Sequence, residues 1–248
     1  MANDTAPGTR LIGLKKIGDD YYSDSVFTQW SASGMAVVWA EENTRDSIFN
    51  AFRRKETYAT SGTRIKLRFF AGENLDDSSL SDDDLIKQAY LKGVPMGGDL
   101  SVLEASPSFL VWTTRDTKGA PLQRIQIIKG WVETISGKPH EEVYDVACSD
   151  GLKVNAKTNR CPDNGARVNI SDCSISSNVG ASELKAFWKD PDFDPTLKAF
   201  YYVRVLENPT CRWSTWDAVK NGFEPRPDLH KTIQERAWSS PIWYTPEA

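Results

Sequence analysis

Histidine is nearly absent from this sequence, with two in 248 residues, His140 and His230. Both fall in polar stretches that read as Pro-flanked or charged loops, so no H-x-H, H-E-x-x-H or D-x-H cluster can be assembled locally. Nucleophile elbows of the G-x-S-x-G type, P-loops and G-x-G-x-x-G fingerprints are missing as well. In VPMGGDL the paired Gly97 and Gly98 lack the helix start that phosphate cradling needs, and they read as turn or bulge residues. Charge of one sign is not in excess: 30 basic against 34 acidic side chains leave a net charge of -4. That balance gives no electrostatic footprint for nucleic acid or an anionic membrane, and neither is expected as a partner. Long hydrophobic runs are missing, since the longest, MAVVWA at residues 35–40, is far too short to span a bilayer. No charged start followed by an apolar segment reads as a signal peptide.

Cysteine is sparse and never in a C-x-x-C pair, which excludes zinc-ribbon spacing. Cys148 and Cys161 flank a polar loop bearing Gly and Asn, and Cys173 precedes the strand region that ends at Cys211. Two bridges, Cys148–Cys161 and Cys173–Cys211, would staple this arrangement and place the chain in an oxidising compartment, most simply the bacterial periplasm or the exterior. Four free thiols in a reducing compartment is the other reading.

What is abundant is the aromatic and turn-forming complement: nine Trp, eight Tyr and ten Phe with 13 Pro and 16 Gly, at 40% apolar content. This composition predicts a real core and many short strands joined by turns, an α+β fold that is mostly β. A polar lead-in over residues 1–25 is followed by a strand-helix-strand unit over 26–70. In that unit Asn43 or Thr44 can cap the helix, Asp46 sits in its first turn, and Ile48, Phe49 and Phe52 form the stripe expected to be buried. The next strand alternates Ile65, Leu67 and Phe69 with Arg64, Lys66 and Arg68, one side core and the other wet. A short helix is predicted from Ser81, with Ser81 and Asp84 resembling a capping box and Leu85, Ile86, Ala89 and Tyr90 on one side. Strands are predicted over 108–114, 123–132, 142–147, 199–206 and 233–244, the last interrupted by Pro241. Leu184, Phe187 and Trp188 predict one more helix over 182–189. Residues 71–248 thus read as a β-rich, sandwich-like domain with short helical insertions.

Candidate chemistry is thin. DPDFDP at 190–195 places three carboxylates at alternate positions but lacks the Gly and Glu of a calcium loop, so a Pro-stiffened turn is expected. The stripe Arg64, Lys66 and Arg68 could meet a phosphate or sulfate, or be the solvent face of a strand. Two turns stand out. WAEENTR aims Glu41, Glu42 and Asn43 toward a barrel mouth if its strand belongs to a barrel. YATSGTR offers Thr60, Ser61 and Arg64 as hydroxyl and guanidinium donors to an oxyanion.

AVVWAEENTRDSIFNAFRRKETYATSGTRI resembles the last strand-helix unit of the PHP-type (polymerase and histidinol phosphatase) metal-dependent hydrolases. GVPMGGDL, LQRIQIIKGW, DPDFDPTLKAFYYVRVLENPTCRWSTWDA and TIQERAWSSPIWY resemble the carboxy-terminal half of one bacterial branch, the family of domain of unknown function 3604, over residues 26–244. The resemblance implies the terminal strand-helix unit of a distorted (β/α) barrel followed by a β-sandwich-like domain. It also implies a divalent metal held by amino-terminal G-D-x-H-x-H-T and S-D-T-H type motifs. Those motifs are absent here, so no catalytic or metal-binding residue carries over, and no cofactor is expected in this chain itself. The first expectation is therefore a carboxy-terminal, non-catalytic region of such a hydrolase, inactive alone, whose partner is the missing amino-terminal metal-binding region. Baring the apolar flank at Val37, Val38 and Trp39 would then favour self-association or a swapped dimer. The alternative is a free-standing β-sandwich module that grips carbohydrate or another small ligand with exposed rings among Trp112, Trp131, Trp213, Trp216, Trp238 and Trp243.

Overall fold

The computed structural model describes residues 14–23, 30, 33–77, 84–100, 105–134 and 136–246. Within the stretch read as a lead-in, β1 (Leu14–Ile17) and β2 (Asp20–Ser23) form a hairpin turned by Gly18 at φ +64°. β3 (Met35–Val38) leads into α1 (Arg45–Arg53), followed by β4 (Thr57–Thr60) and β5 (Lys66–Gly72). After α2 (Leu85–Lys92) come the short β6 (Val94–Pro95) and β7 (Asp99–Leu100). The long strands are β8 (Ser108–Thr114), β9 (Leu122–Val132), β10 (Pro139–Cys148), β11 (Glu183–Lys189) and β12 (Ala199–Glu207). β13 (Thr210–Cys211), α3 (Trp213–Asn221), β14 (Thr232–Ile233), β15 (Arg236–Ser239) and β16 (Ile242–Tyr244) complete the order.

Two sheets carry the fold. The larger runs β10-β9-β12-β15-β4-β3, with β16 joining β12 to β7; the smaller runs β11-β8-β5-β6. The smaller sheet directs Leu67, Phe69, Phe109, Val111 and Ala186 into a core shared with Ile125, Ile127, Tyr201, Val203 and Val205 of the larger. Each such side chain removed from water stabilises by on the order of 1.5–3 kcal/mol. The mostly β, sandwich-like expectation is met. β3 and β4, read as part of the strand-helix-strand unit, pair antiparallel and lie at the end of the larger sheet. The last predicted strand, 233–244, is broken into three: Ile233 belongs to β14, and Pro241, without an N–H donor, separates β15 from β16.

Three readings are corrected. Residues 182–189 form β11 and not a helix: pairing with β8 in full register turns Leu184, Ala186 and Trp188 into the core, a period of two that the helical spacing of 184, 187 and 188 concealed. On α1, Thr44 caps by accepting from the Ser47 N–H at 3.3 Å, but only Ala51 is buried, and Phe49 and Phe52 are 58% and 52% exposed. The helix lies on the sheet through its small residue, which leaves the larger rings outside. His140 is in β10, not a loop, and its ring stacks on Trp131 across the strand pair. Ser81 of the proposed capping box lies outside the described residues; Asp84 is the N-cap of α2 without a side-chain capping bond.

Both bridges form as expected, Cys148–Cys161 and Cys173–Cys211, with no free cysteine left. Two disulfides place the chain in an oxidising environment, extracellular or periplasmic. No helix among the described residues is long and apolar enough to cross a membrane.

Candidate functional site

The alternation of β5 puts Ile65, Leu67 and Phe69 in the core at 1%, 0% and 0% exposure, and so fixes Arg64, Lys66 and Arg68 on the outer face of the smaller sheet. Antiparallel register then chooses their neighbours. Lys66 lies opposite Thr114, itself opposite Glu183; Arg68 lies opposite Trp112, itself opposite Lys185. Above the next row, Phe70 and Leu110 are sealed by Leu85 and Ala89 of α2. The polar rows remain open, and three depressions run along them with shared walls.

At one end, Trp39, Glu41, Arg54, Glu56, Arg68 and Tyr90 surround an open cavity of about 580 Å³. Glu56, 3% exposed, is its organising charge. It accepts from Arg68 at 3.4 Å, from Arg54 at 3.5 Å and from the Tyr90 hydroxyl. Arg68 also donates to the Tyr90 oxygen at 2.9 Å and lies 3.5 Å over the Trp39 ring, whose Nε1 donates to the Leu67 carbonyl at 2.8 Å. Burial, followed by the hydrogen bond to Glu56, pushes the Tyr90 hydroxyl up to about 12. A middle cavity of about 290 Å³ shares Trp39 and Arg68 with the first and adds Lys66, Trp112 and Thr114.

The far end widens to about 1050 Å³ between Arg64, Lys66, Thr114, the 115–118 turn, Ser182 and Glu183. Asp116 shapes this turn by accepting from the N–H groups of Arg64 at 2.8 Å and Lys118 at 2.9 Å. The Lys118 and then the Arg64 backbone bonds hold its carboxyl below the usual carboxylate range. Among the described residues, the side chains of Arg64, Lys66 and Lys118 make no ion pair and no hydrogen bond. Behind the turn lies Glu207, fully buried. Gly119 permits this approach, because a Cβ there would meet Glu207 Oε1 at 2.9 Å. The Thr63 hydroxyl and the Ala120 N–H draw the Glu207 pKa down from nearby, but neither carboxylate oxygen has a partner at hydrogen-bond geometry. Burial first, then the charges of Glu235 and Asp116, push it up to about 7.

The predicted site residues separate accordingly. Glu41 and Arg64 line the groove at opposite ends. Glu42 and Asn43 are exposed in the bend before α1, where the Glu42 N–H donates to Ser47 Oγ at 3.1 Å. Thr60 is buried and accepts from the Gly62 N–H at 3.3 Å. Ser61 donates to Glu235 and accepts from the Arg236 N–H at 2.8 Å. Of the six candidate tryptophans only Trp112 lines the groove; Trp131 lines a second cavity, and Trp213, Trp216, Trp238 and Trp243 sit on α3, β15 and β16. Trp39, Glu56, Tyr90 and Lys118 were not legible as site residues, because only long-range pairing places them beside β5.

The second cavity, of about 510 Å³, lies where the DPDFDP turn covers β9, β10 and β12. Its polar groups are largely satisfied by one another. Asp190 takes Lys129 at 2.7 Å and the Tyr201 hydroxyl at 2.6 Å, and Asp192 takes the Tyr144 hydroxyl at 3.0 Å. The turn is a latch, and no group of three or more His, Cys, Asp or Glu among the described residues is placed to hold a metal. His140 is engaged with Trp131, and His230 is exposed between α3 and β14. These residues do not fit the divalent site that the hydrolase resemblance implies.

Residues 3–246 match the family described as "Protein of unknown function (DUF3604)". No curated protein and no solved structure matches the chain.

Proposed function

We propose that this chain, which belongs to the family described as protein of unknown function (DUF3604), is the non-catalytic carboxy-terminal region of a PHP-like metal-dependent hydrolase. In this reading it contributes a ligand-contacting rim, while the divalent metal is held by the parent's amino-terminal motifs. The observation that carries the reading is the outer edge of β3, unpaired among the described residues, together with the exposed Phe49 and Phe52 of α1, the helix that contacts β3. A free strand edge next to exposed apolar rings is a surface that a neighbouring region covers. Val37 and Trp39, expected to be bare, pack against the core, so α1 supplies the apolar contact and β3 the backbone donors. Glu41, just beyond β3, stands at the groove end nearest this edge, where an amino-terminal barrel would meet it. The periplasm is the compartment we assign, since both bridges must form.

Purified oxidised chain, incubated with zinc or manganese and a panel of phosphomonoesters, is expected to show no turnover and no stoichiometric metal binding. Chelator-sensitive turnover would overturn the proposal. Light scattering is expected to show self-association that the double substitution Phe49→Lys, Phe52→Lys suppresses. A monodisperse monomer of the unsubstituted chain would show that this surface needs no covering region and would overturn the reading. The second reading, a binding module, is favoured by the groove itself.

A further inference from the structure

We infer that the groove on the outer face of β5 and β8 binds a linear anionic glycan, whose carboxylates or sulfates meet Arg64, Lys66 and Lys118 while its hydroxyls meet the carboxylates between them. This deepens the reading of the groove as ligand-contacting and is independent of whether a metal centre lies beside it.

Charge carries the first step. In a chain of net charge -4, four cations line one open groove; Arg115 is held by backbone carbonyls, while the side chains of Arg64, Lys66 and Lys118 make no ion-pair contact and no hydrogen bond among the described residues, Asp116 acting on the Arg64 and Lys118 charges only through space. Exposed lysines and arginines are ordinary; three on one concave wall, around a cavity of about 1050 Å³, concentrate positive potential and select anions. Shape carries the second step. The three depressions share Lys66 and Thr114, then Trp39 and Arg68, so an occupant is extended. Arg64 and Lys66 lie two residues apart in extended backbone, which spaces their charges by about 7 Å. A ligand with repeated anionic groups can match that interval.

The carboxylates decide the class. Asp116 and Glu183 lie on the same wall as the cations, joined by the hydroxyls of Thr114 and Ser182. A phosphodiester chain has few hydroxyl donors to offer these acids, so its repulsion from them is left uncompensated. An acidic glycan supplies hydroxyl donors to them and anions to Arg64 and Lys66. Trp112, held by its Nε1 bond to Glu183, gives the middle of the groove an apolar wall for sugar C–H groups. The two disulfides also place the chain where glycans are abundant and nucleic acids scarce.

Calorimetry on the intact oxidised chain at low salt tests this with a hexameric oligogalacturonate, a heparin-derived hexasaccharide, cellohexaose, a twelve-nucleotide oligothymidylate and inorganic phosphate. At least one of the two anionic glycans is expected to bind, with affinity falling as salt rises and exceeding that for cellohexaose, the oligonucleotide and phosphate. Arg64→Ala with Lys66→Ala is expected to weaken it about ten-fold or more at unchanged circular dichroism. Lys153→Ala, on the loop closed by Cys148 and Cys161, should leave it unchanged. No glycan binding, equal loss in Lys153→Ala, tighter binding of the oligonucleotide, or saturation by phosphate alone would each overturn the inference. Glycan binding without turnover leaves the hydrolase reading intact, and metal-dependent turnover would refute that reading without touching this one.

Discussion

Replacing Glu207 by glutamine should stabilise the protein above neutral pH and remove a pH dependence that the unsubstituted chain carries. Glu207 is fully buried behind the 115–118 turn, and neither carboxylate oxygen has a partner at hydrogen-bond geometry. Burial is the principal reason its pKa rises from 4.5 to about 7, with Glu235 and Asp116 adding repulsion. The folded state therefore holds this proton more tightly than the unfolded state. The stabilisation is complete below pH 4.5, declines as pH rises toward 7, and is gone above it. At about 1.4 kcal/mol per tenfold change in proton affinity, the interval corresponds to roughly 3 kcal/mol. Glutamine keeps the shape and cannot ionise, so Glu207→Gln should match the unsubstituted chain near pH 4 and exceed it by up to about 3 kcal/mol at pH 8. For a chain of this size that is on the order of 6–12 °C in Tm. Thermal unfolding followed by circular dichroism at the two pH values, with disulfides intact, reads the effect. An unchanged pH dependence in Glu207→Gln, or a lower Tm than the unsubstituted chain at pH 8, would refute the reasoning.

Tyr90→Phe should cost about 1–2 kcal/mol in denaturant unfolding, because buried Glu56 loses its hydroxyl donor, and Glu56→Ala should cost more by taking the carboxylate partner from Arg68 and Arg54 at once. Gly97→Ala should destabilise by at least about 2 kcal/mol, since φ is +86° and the new Cβ would sit 2.2 Å from the Lys55 carbonyl oxygen; an unchanged unfolding midpoint would contradict the close approach. Removing the Cys173–Cys211 bridge, which closes 38 residues, should cost about 4 kcal/mol, against about 3 for Cys148–Cys161, which closes 13. Paired Cys→Ser variants in a guanidinium titration would show the order, and its reversal would count against a chain-entropy origin.

The strands at 108–114, 123–132 and 199–206 were legible because runs of β-branched and aromatic residues bounded by turns have few other solutions. Ambiguity began where one segment satisfied two periods. At 182–189 the triplets 184/187/188 and 184/186/188 are both apolar, and only the free edge of β8 decides between them. α1 was legible as a helix from Thr44 and Asp46, yet its buried face was not, since Ala51 rather than the phenylalanines meets the sheet. α3 gave no start signal: its N-cap is Arg212, without a side-chain capping bond, and only Gly222 in the left-handed conformation marks its end.

The candidate site divides along the same physical line. Alternation along β5 announces that Arg64, Lys66 and Arg68 face outward, because it depends on neighbours two residues away. That Lys66 shares a wall with Thr114 and Glu183, or that Arg68 lies over Trp39 and against Glu56, depends on register between strands separated by tens of residues. A basic stripe on a solvent face and a basic wall of a groove are identical in local sequence. They differ in what stands opposite, and here β8, β11 and the 115–118 turn stand opposite and turn an ordinary strand face into a recess. The same pairing explains why Thr60 and Ser61, equally plausible oxyanion donors from local sequence, are spent instead on Gly62 and on Glu235 and Arg236. Polar side chains that pairing leaves without partners among the described residues, such as Lys66, are therefore the ones through which a fold of this kind can recognise a ligand.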